Sequence, residues 1–277
     1  PWIPFYEETL DNNEKPKSRF YKRNSKSSFS TQVSENLFLK TNYREKIFKL
    51  IINSELREEL EYKYSDLPFY FLKFWFEDMY NKPLNILAND RVFSKLGLKR
   101  TMFNPHEKIN LSEIDPSEKD DFFRYSKLHG YVHDEGAAML GGISGHAGLF
   151  SNSYEVAIVL QAMIQKGNYN NFRLFSQDSF DKFNFCYFCD KDNRSGVGFD
   201  KPQIEGKHGS TFGGVSLKSF GHYGYTGSMA WADPEEDIIF IFLSNRTYPT
   251  RENTLLQTSN TRTRSQEIVY KSLIDSE

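Results

Sequence analysis

Six short stretches of this sequence hold residue types whose chemistry is worth weighing. Tyr64-Ser65-Asp66 sets three polar side chains ahead of a run with Pro68 in its first turn, and on residue types alone Asp66 reads as a helix N-cap. His133-Asp134-Glu135 lacks the His-Glu-x-x-His spacing that puts two imidazoles on one helical face, which argues against a zinc protease. Gly142-Ile143-Ser144-Gly145-His146 approaches the nucleophile elbow of hydrolases, but it ends in His where that turn needs Gly, and no strand leads into it. Ser179-Phe180-Asp181-Lys182 is the chain's sole Ser-x-x-Lys and reads as part of an ordinary helix. Cys186-Tyr187-Phe188-Cys189 has the spacing of a redox pair or of half a zinc site. Without a second cysteine pair or a preceding βαβ pattern, it reads as two ordinary thiols in an aromatic loop. His222-Tyr223-Gly224 falls on a predicted strand edge, where Gly lets a ligand approach the backbone.

The elements that must position these groups centre on residues 219–246. Ile238–Leu243 is an unbroken apolar run of β-branched and aromatic residues, which suits a central strand covered on both faces. Asp233-Pro234-Glu235-Glu236 is turn chemistry, so Ser228–Ala232 is expected to pair with that strand as an antiparallel hairpin. Upstream, residues 1–40 read as an insertion or loop region, with strand-like alternation over Phe29–Leu39. Tyr43–Ile52 places Ile47, Leu50 and Ile51 on one helical face. Phe71, Phe74, Trp75 and Met79 recur at helical spacing and predict the buried face of a helix starting near Asp66, followed by a second helix over Pro83–Leu96 and a strand over Thr101–Asn104. Gly141, Gly142, Gly145 and Gly148 imply a tightly folded loop. Asn152 with Glu155 then opens a helix that Gly167 ends.

With 277 residues, 38% of them hydrophobic and 16% aromatic, the chain can bury a sizeable core. A formal charge of −2 gives no electrostatic footprint for nucleic acid or an anionic membrane. No apolar run approaches the roughly 18 residues of a membrane span. The sequence has no phosphate-binding Gly-rich loop followed by Lys-Ser/Thr, and no internal repeat.

Tyr64-Ser65-Asp66, GLKRTMFNP at 97–105, VHDEGAAMLGGISGHAGLFS at 132–151 and FGHYGYTG at 220–227 resemble, in order, successive blocks of the serine beta-lactamase and penicillin-binding protein superfamily. The likeness runs over nearly the whole chain. It is greatest to the class C and esterase-like branch, particularly the serine hydrolase domains found with beta-N-acetylhexosaminidases in some bacterial envelope proteins.

The resemblance implies an α+β fold of the beta-lactamase/transpeptidase type, an antiparallel sheet flanked by helices plus a helical lobe. Tyr64 matches the tyrosine of the family's Tyr-x-Asn motif, where the phenol is general base or proton relay; Asp66 stands where Asn is usual. His222-Tyr223-Gly224 matches the Lys-Thr-Gly motif that meets the substrate carboxylate, with Tyr223 in place of the usual Thr, and the Tyr225 N–H would supply half of an oxyanion hole. The family's nucleophile lies in a Ser-x-x-Lys that precedes the tyrosine block. Ser179–Lys182 follows it, so the expectation is a single domain over residues 1–277 that lacks the N-terminal strands and nucleophile helix and is inactive alone.

The implied reaction is acyl transfer to water through an acyl-enzyme, on a peptide, amide or ester of small-molecule or peptidoglycan-like character, in the periplasm or cell envelope. No metal or organic cofactor is implied. The alternatives are a catalytically inactive binding module and an accessory domain covalently linked to a glycosidase. Nothing in the chain itself supplies the paired carboxylates that glycoside cleavage needs.

Overall fold

The computed structural model describes residues 2–58, 62–191, 193–203 and 209–274. The chain divides into two units: residues up to Asp90 with Thr101–Phe150 and Tyr248–Thr250, and Arg91–Arg100 with Ser151–Thr247 and the residues from Arg251.

In the first unit β1 (Tyr21–Lys22), β2 (Thr31–Ser34) and β3 (Leu37–Leu39) form an antiparallel sheet in the order β1-β3-β2. The alternation over Phe29–Leu39 is thus a hairpin turning at Glu35-Asn36. α1 (Tyr43–Ile52) buries Tyr43, Ile47 and Ile51, one stripe at four-residue spacing. Residues 1–40, expected as insertion or loop, contribute Phe5, Tyr21, Val33, Leu37 and Leu39 to the same core.

α2 (Leu67–Tyr80) begins where Pro68 predicts but turns a different face inward. Leu67, Tyr70 and Lys73 are buried, whereas Phe71, Trp75 and Met79 stand 43%, 46% and 49% exposed. The polar side is held down by Glu77, which pairs with Lys73 at 2.7 Å and Arg44 at 3.0 Å and accepts the Leu84 N–H. Hydrophobic spacing reports a stripe; this ion-pair cluster decides which side faces the core. α3 (Leu84–Ala88) runs into a π-helical turn at Asn89–Phe93, where a single helix was predicted over Pro83–Leu96. After it come β4 (Met102–Phe103), the hairpin β5 (Pro116–Asp120) and β6 (Ser126–His129), α4 (Glu135–Met139), and β7 (Leu149–Phe150), which pairs with β4.

The second unit starts with α5 (Ser153–Ile164). The Asn152 side chain caps it by accepting the Glu155 N–H, but the buried Glu155 carboxylate accepts the N–H groups of Lys99 and Arg100. The short hairpin β8 (Asn168–Tyr169) and β9 (Phe172–Arg173) leads to α6 (Gln177–Asn184), then β10 (Phe220–Tyr223), β11 (Met229–Asp233), β12 (Ile238–Phe242), α7 (Leu255–Thr258) and α8 (Thr261–Ile274).

The last three strands form an antiparallel sheet in the order β10-β11-β12, with Trp231 opposite Phe240. On one face Phe220, Ala232, Ile239 and Ile241 pack with Val156, Leu160 and Met163 of α5. On the other, Met229, Trp231 and Phe240 meet Val269, and Ile238 meets Tyr270, both on α8. Covered twice, β12 needs apolar side chains at every position. The predicted hairpin is therefore present, but the middle strand is β11: among the described residues, β12 has β11 as its sole ladder partner.

Cys186 and Cys189 are joined by a disulfide, which corrects the reading as two thiols. Among the described residues, no helix is long and apolar enough to cross a membrane.

Candidate active site

Tyr64 lies just ahead of α2 with its side chain exposed, and its hydroxyl donates to Asp66 Oδ1 at 3.0 Å. The structure gives the capping role expected of Asp66 to its neighbour: Ser65 Oγ accepts the Leu67 N–H at 3.2 Å, and Asp66 makes no side-chain cap. The Asp66 carboxylate serves the phenol instead. It also lines a narrow pocket with Tyr70, Asp134 and Glu135, walled by residues Trp2–Tyr6. An acidic lining of this kind suits a hydrogen-bond donor or a positive charge.

Beneath that pocket the glycine-rich segment is locked to α2. His146 Nε2 donates to Asp134 Oδ1 at 2.9 Å, the Tyr70 hydroxyl donates to the same oxygen at 3.3 Å, and the Ala137 N–H reaches it at 2.7 Å. Asp134 is pulled up by burial, but the His146 bond and charge outweigh this and hold its carboxyl below the usual range. Burial, reinforced by Asp134, raises the Tyr70 phenol far above its ordinary value. Gly136 leaves room for that phenol, since a Cβ there would meet the Tyr70 oxygen at 1.8 Å. Gly145 lies so near α2 that a Cβ would come within 2.5 Å of the Phe69 carbonyl. The tight packing expected of this loop has a defined partner.

Ser144 Oγ lies 3.0 Å from His146 Nδ1, which completes a Ser-His-Asp chain of contacts. Its arrangement is not that of a hydrolytic triad. The carboxylate holds Nε2 and the serine faces Nδ1, the reverse of the usual order, and Ser144 is 3% exposed, so a substrate carbonyl has no route to it. The trio is a clamp.

In the second unit, His222 stands exposed on β10, its Nδ1 2.6 Å from the Tyr223 carbonyl oxygen. At Gly224 a built Cβ would make ordinary van der Waals contact with Thr226 and Ser228, at 3.6–3.8 Å. The glycine that crowding demands is Gly221, where a Cβ would come within 2.3 Å of the Ala230 carbonyl. Two arginines that sequence reasoning missed brace this strand end. Arg262 lies 4.0 Å over the half-buried Tyr223 ring, and Arg246 lies 4.5 Å over the exposed Tyr225 ring while donating from Nε to the Tyr225 carbonyl at 2.9 Å. Burial raises the Tyr223 phenol, with Arg262 opposing. Both cations come from tens of residues downstream, and no local spacing announces such contacts.

Ser179 sits one turn into α6, its N–H and hydroxyl both engaged by Ser176 Oγ, and Lys182 pairs with Asp178 at 2.8 Å. The lysine serves an aspartate rather than the serine. Tyr64 and Asp66 thus belong to the first unit, and His222, Tyr223, Gly224 and Tyr225 to the second. Among the described residues, no group of three or more His, Cys, Asp or Glu is placed to hold a metal ion.

The sequence pattern that defines beta-lactamases matches residues 38–261. This chain belongs to the beta-lactamase family. It is 32% identical over 211 residues to a putative D-alanyl-D-alanine carboxypeptidase of Escherichia coli K12, an alignment covering 69% of the chain and 48% of that protein. The chain therefore spans about half the length of the curated relatives it matches. Among solved structures, a beta-lactamase from Mycobacterium bovis is similar in fold, with TM-score 0.54, 16% identity, and coverage of 79% of this chain and 66% of that one. So is a D-amino acid amidase from Ochrobactrum anthropi, with TM-score 0.54, 15% identity, and coverage of 83% and 64%. The expected mixed helix-and-sheet fold of the beta-lactamase family is the fold observed.

Proposed function

We propose that this beta-lactamase-family chain carries the proton-relay and substrate-binding parts of a serine hydrolase that cleaves a peptide or amide through an acyl-enzyme. The observation that supports it most is the pairing of the family match with Tyr64 hydrogen-bonded to Asp66. In this reading Tyr64 passes a proton at the reacting centre, and Asp66 orients its hydroxyl. His222 and the Tyr225 N–H meet the acyl substrate, and Arg246 and Arg262 supply positive charge for a substrate carboxylate.

A carboxypeptidase among the relatives and an amidase among the fold neighbours favour a peptide or amide substrate, and cell-wall stem peptides are the proposed source. The Cys186–Cys189 disulfide fits a protein of the periplasm or envelope, where such bonds persist. Ser179, bound to its helix cap, is not the proposed nucleophile.

The test is release of D-alanine from a peptide ending in D-alanyl-D-alanine by the polypeptide as encoded, beside its Tyr64→Phe and His222→Ala variants. Turnover falling by about 10²–10⁴-fold in Tyr64→Phe is expected, with KM rising in His222→Ala. A catalytically inactive binding module is the rival, favoured by the occupied side chains of Ser179 and Lys182. It predicts peptide binding without turnover and no labelling by a fluorophosphonate.

A further inference from the structure

Tyr64 stands 60% exposed, so its place is set by what it bonds to more than by packing. Its hydroxyl follows Asp66 Oδ1, and Asp66 is fixed by the first turn of α2, where its carbonyl accepts the N–H groups of Phe69 at 3.0 Å and Tyr70 at 3.1 Å. Whatever anchors that turn therefore aims Tyr64.

Tyr70 is the anchor. It is 5% exposed, and its ring centre lies 5.3 Å from that of Phe5, edge to face, and 4.1 Å from that of His146. Its hydroxyl donates to Asp134 Oδ1 at 3.3 Å, and the same oxygen accepts from His146 Nε2 and the Ala137 N–H, so one atom ties α2 to the glycine-rich loop and to the cap of α4. Ring packing alone does not need that hydroxyl. Phenylalanine would make the same ring contacts with Phe5 and His146, whereas tyrosine requires glycine at 136, inside α4, where a Cβ would stand 1.8 Å from the phenol oxygen. Glycine weakens a helix, so the oxygen is accommodated at a cost.

The charges around the phenol decide its partner. Burial, with the Asp134 and Asp66 carboxylates both acting on it, keeps the Tyr70 proton in place far beyond the ordinary range of a phenol. One proton serves one carboxylate. Given to Asp134, it leaves Asp66 to accept from Tyr64.

We propose that Tyr70 is a positioning residue of the Tyr64–Asp66 pair, a role that rests on Tyr64 passing the proton. It acts through Asp66, by fixing the turn that carries it and by satisfying Asp134 in its stead.

The experiment is a double-variant cycle in the polypeptide as encoded, reading D-alanine release from a peptide ending in D-alanyl-D-alanine well below each variant's melting midpoint. Tyr70→Phe should lower kcat about 10-fold and keep KM within about twofold. Combined with Tyr64→Phe it should lower kcat no further, because Tyr70 acts through Tyr64; an independent structural defect would multiply the two losses. Asp134→Asn retains Oδ1 for its three donors and should keep kcat within about threefold of native, whereas Asp134→Ala should fall as Tyr70→Phe does. Native kcat in Tyr70→Phe, multiplied losses in the double variant, or equal losses in Asp134→Asn and Asp134→Ala would each overturn the proposal while leaving the Tyr64 relay standing. No turnover by the native polypeptide, or full turnover in Tyr64→Phe, would remove the relay and this role with it.

Discussion

His146 Nε2 and Asp134 Oδ1, 2.9 Å apart, tie the glycine-rich loop to the start of α4, and the imidazole rests 4.1 Å, ring centre to ring centre, from Tyr70 on α2. His146→Ala removes a donor from a carboxylate that is only partly exposed, so we expect a loss of roughly 1–3 kcal/mol in denaturant titration. Ser144→Ala should cost less than about 1 kcal/mol and leave any fluorophosphonate labelling unchanged. Loss of labelling in that variant would restore Ser144 as a nucleophile.

Asp120 and Arg124 are both fully buried, and Arg124 also donates to the Val132 and His133 carbonyls. Breaking such a pair strands one charge, so Arg124→Met is expected to cost about 3–5 kcal/mol. Burial pushes the Asp120 carboxyl up, yet the Arg124 charge and the backbone donors prevail and lower it. A depressed carboxyl contributes stability above its unfolded pKa of about 3.9 and loses it as pH falls through the folded value. Acid titration should show stability declining below about pH 4, with a shallower decline in Asp120→Asn.

Lys201 is buried, with Nζ donating to Asn184 Oδ1 at 3.1 Å and to the Lys218 carbonyl at 3.2 Å. Burial, with Arg194 nearby, lowers its ammonium from 10.5 to about 8. Between those values the unfolded chain binds the extra proton, so stability should rise as pH climbs from about 8 toward 10. Thermal melts across that range should show an upward slope in the native sequence and a flatter one in Lys201→Met. Parallel slopes would remove Lys201 as the cause.

Gly145 and Gly224 make a matched pair of tests. A side chain at Gly145 meets the Phe69 carbonyl, whereas one at Gly224 meets nothing closer than 3.6 Å. Gly145→Val should lose roughly 1–3 kcal/mol, and Gly224→Ala less than about 0.5 kcal/mol. If substrate lies against the backbone at Gly224, Gly224→Ala should raise KM while leaving the unfolding midpoint in place.

The β11–β12 hairpin was legible because two-sided burial writes itself into every residue of Ile238–Phe242. The Asn152 cap of α5 was legible because its side chain meets the Glu155 N–H within one turn, whereas the Glu155 carboxylate turns to Lys99 and Arg100, far away in sequence. The inward face of α2 was not, since Lys73 and Glu77 pair only once the helix has formed and Arg44 has been brought to it. In the candidate site, Tyr64 and His222 came from matching motif blocks, whereas Arg246 and Arg262 act through stacking on rings far upstream.

The Cys186–Cys189 bond spans a sequence separation of only three residues. A cross-link removes freedom from the unfolded chain in proportion to the logarithm of the loop it closes, and this loop is nearly the smallest that can exist. Reducing it should leave global melting almost unmoved. What it restrains is the local path of an aromatic turn in which Phe185, Tyr187 and Phe188 stand half or more exposed. Reduction should therefore widen the range of paths open to those rings, seen as faster amide exchange confined to residues 185–189, rather than change whether the protein folds.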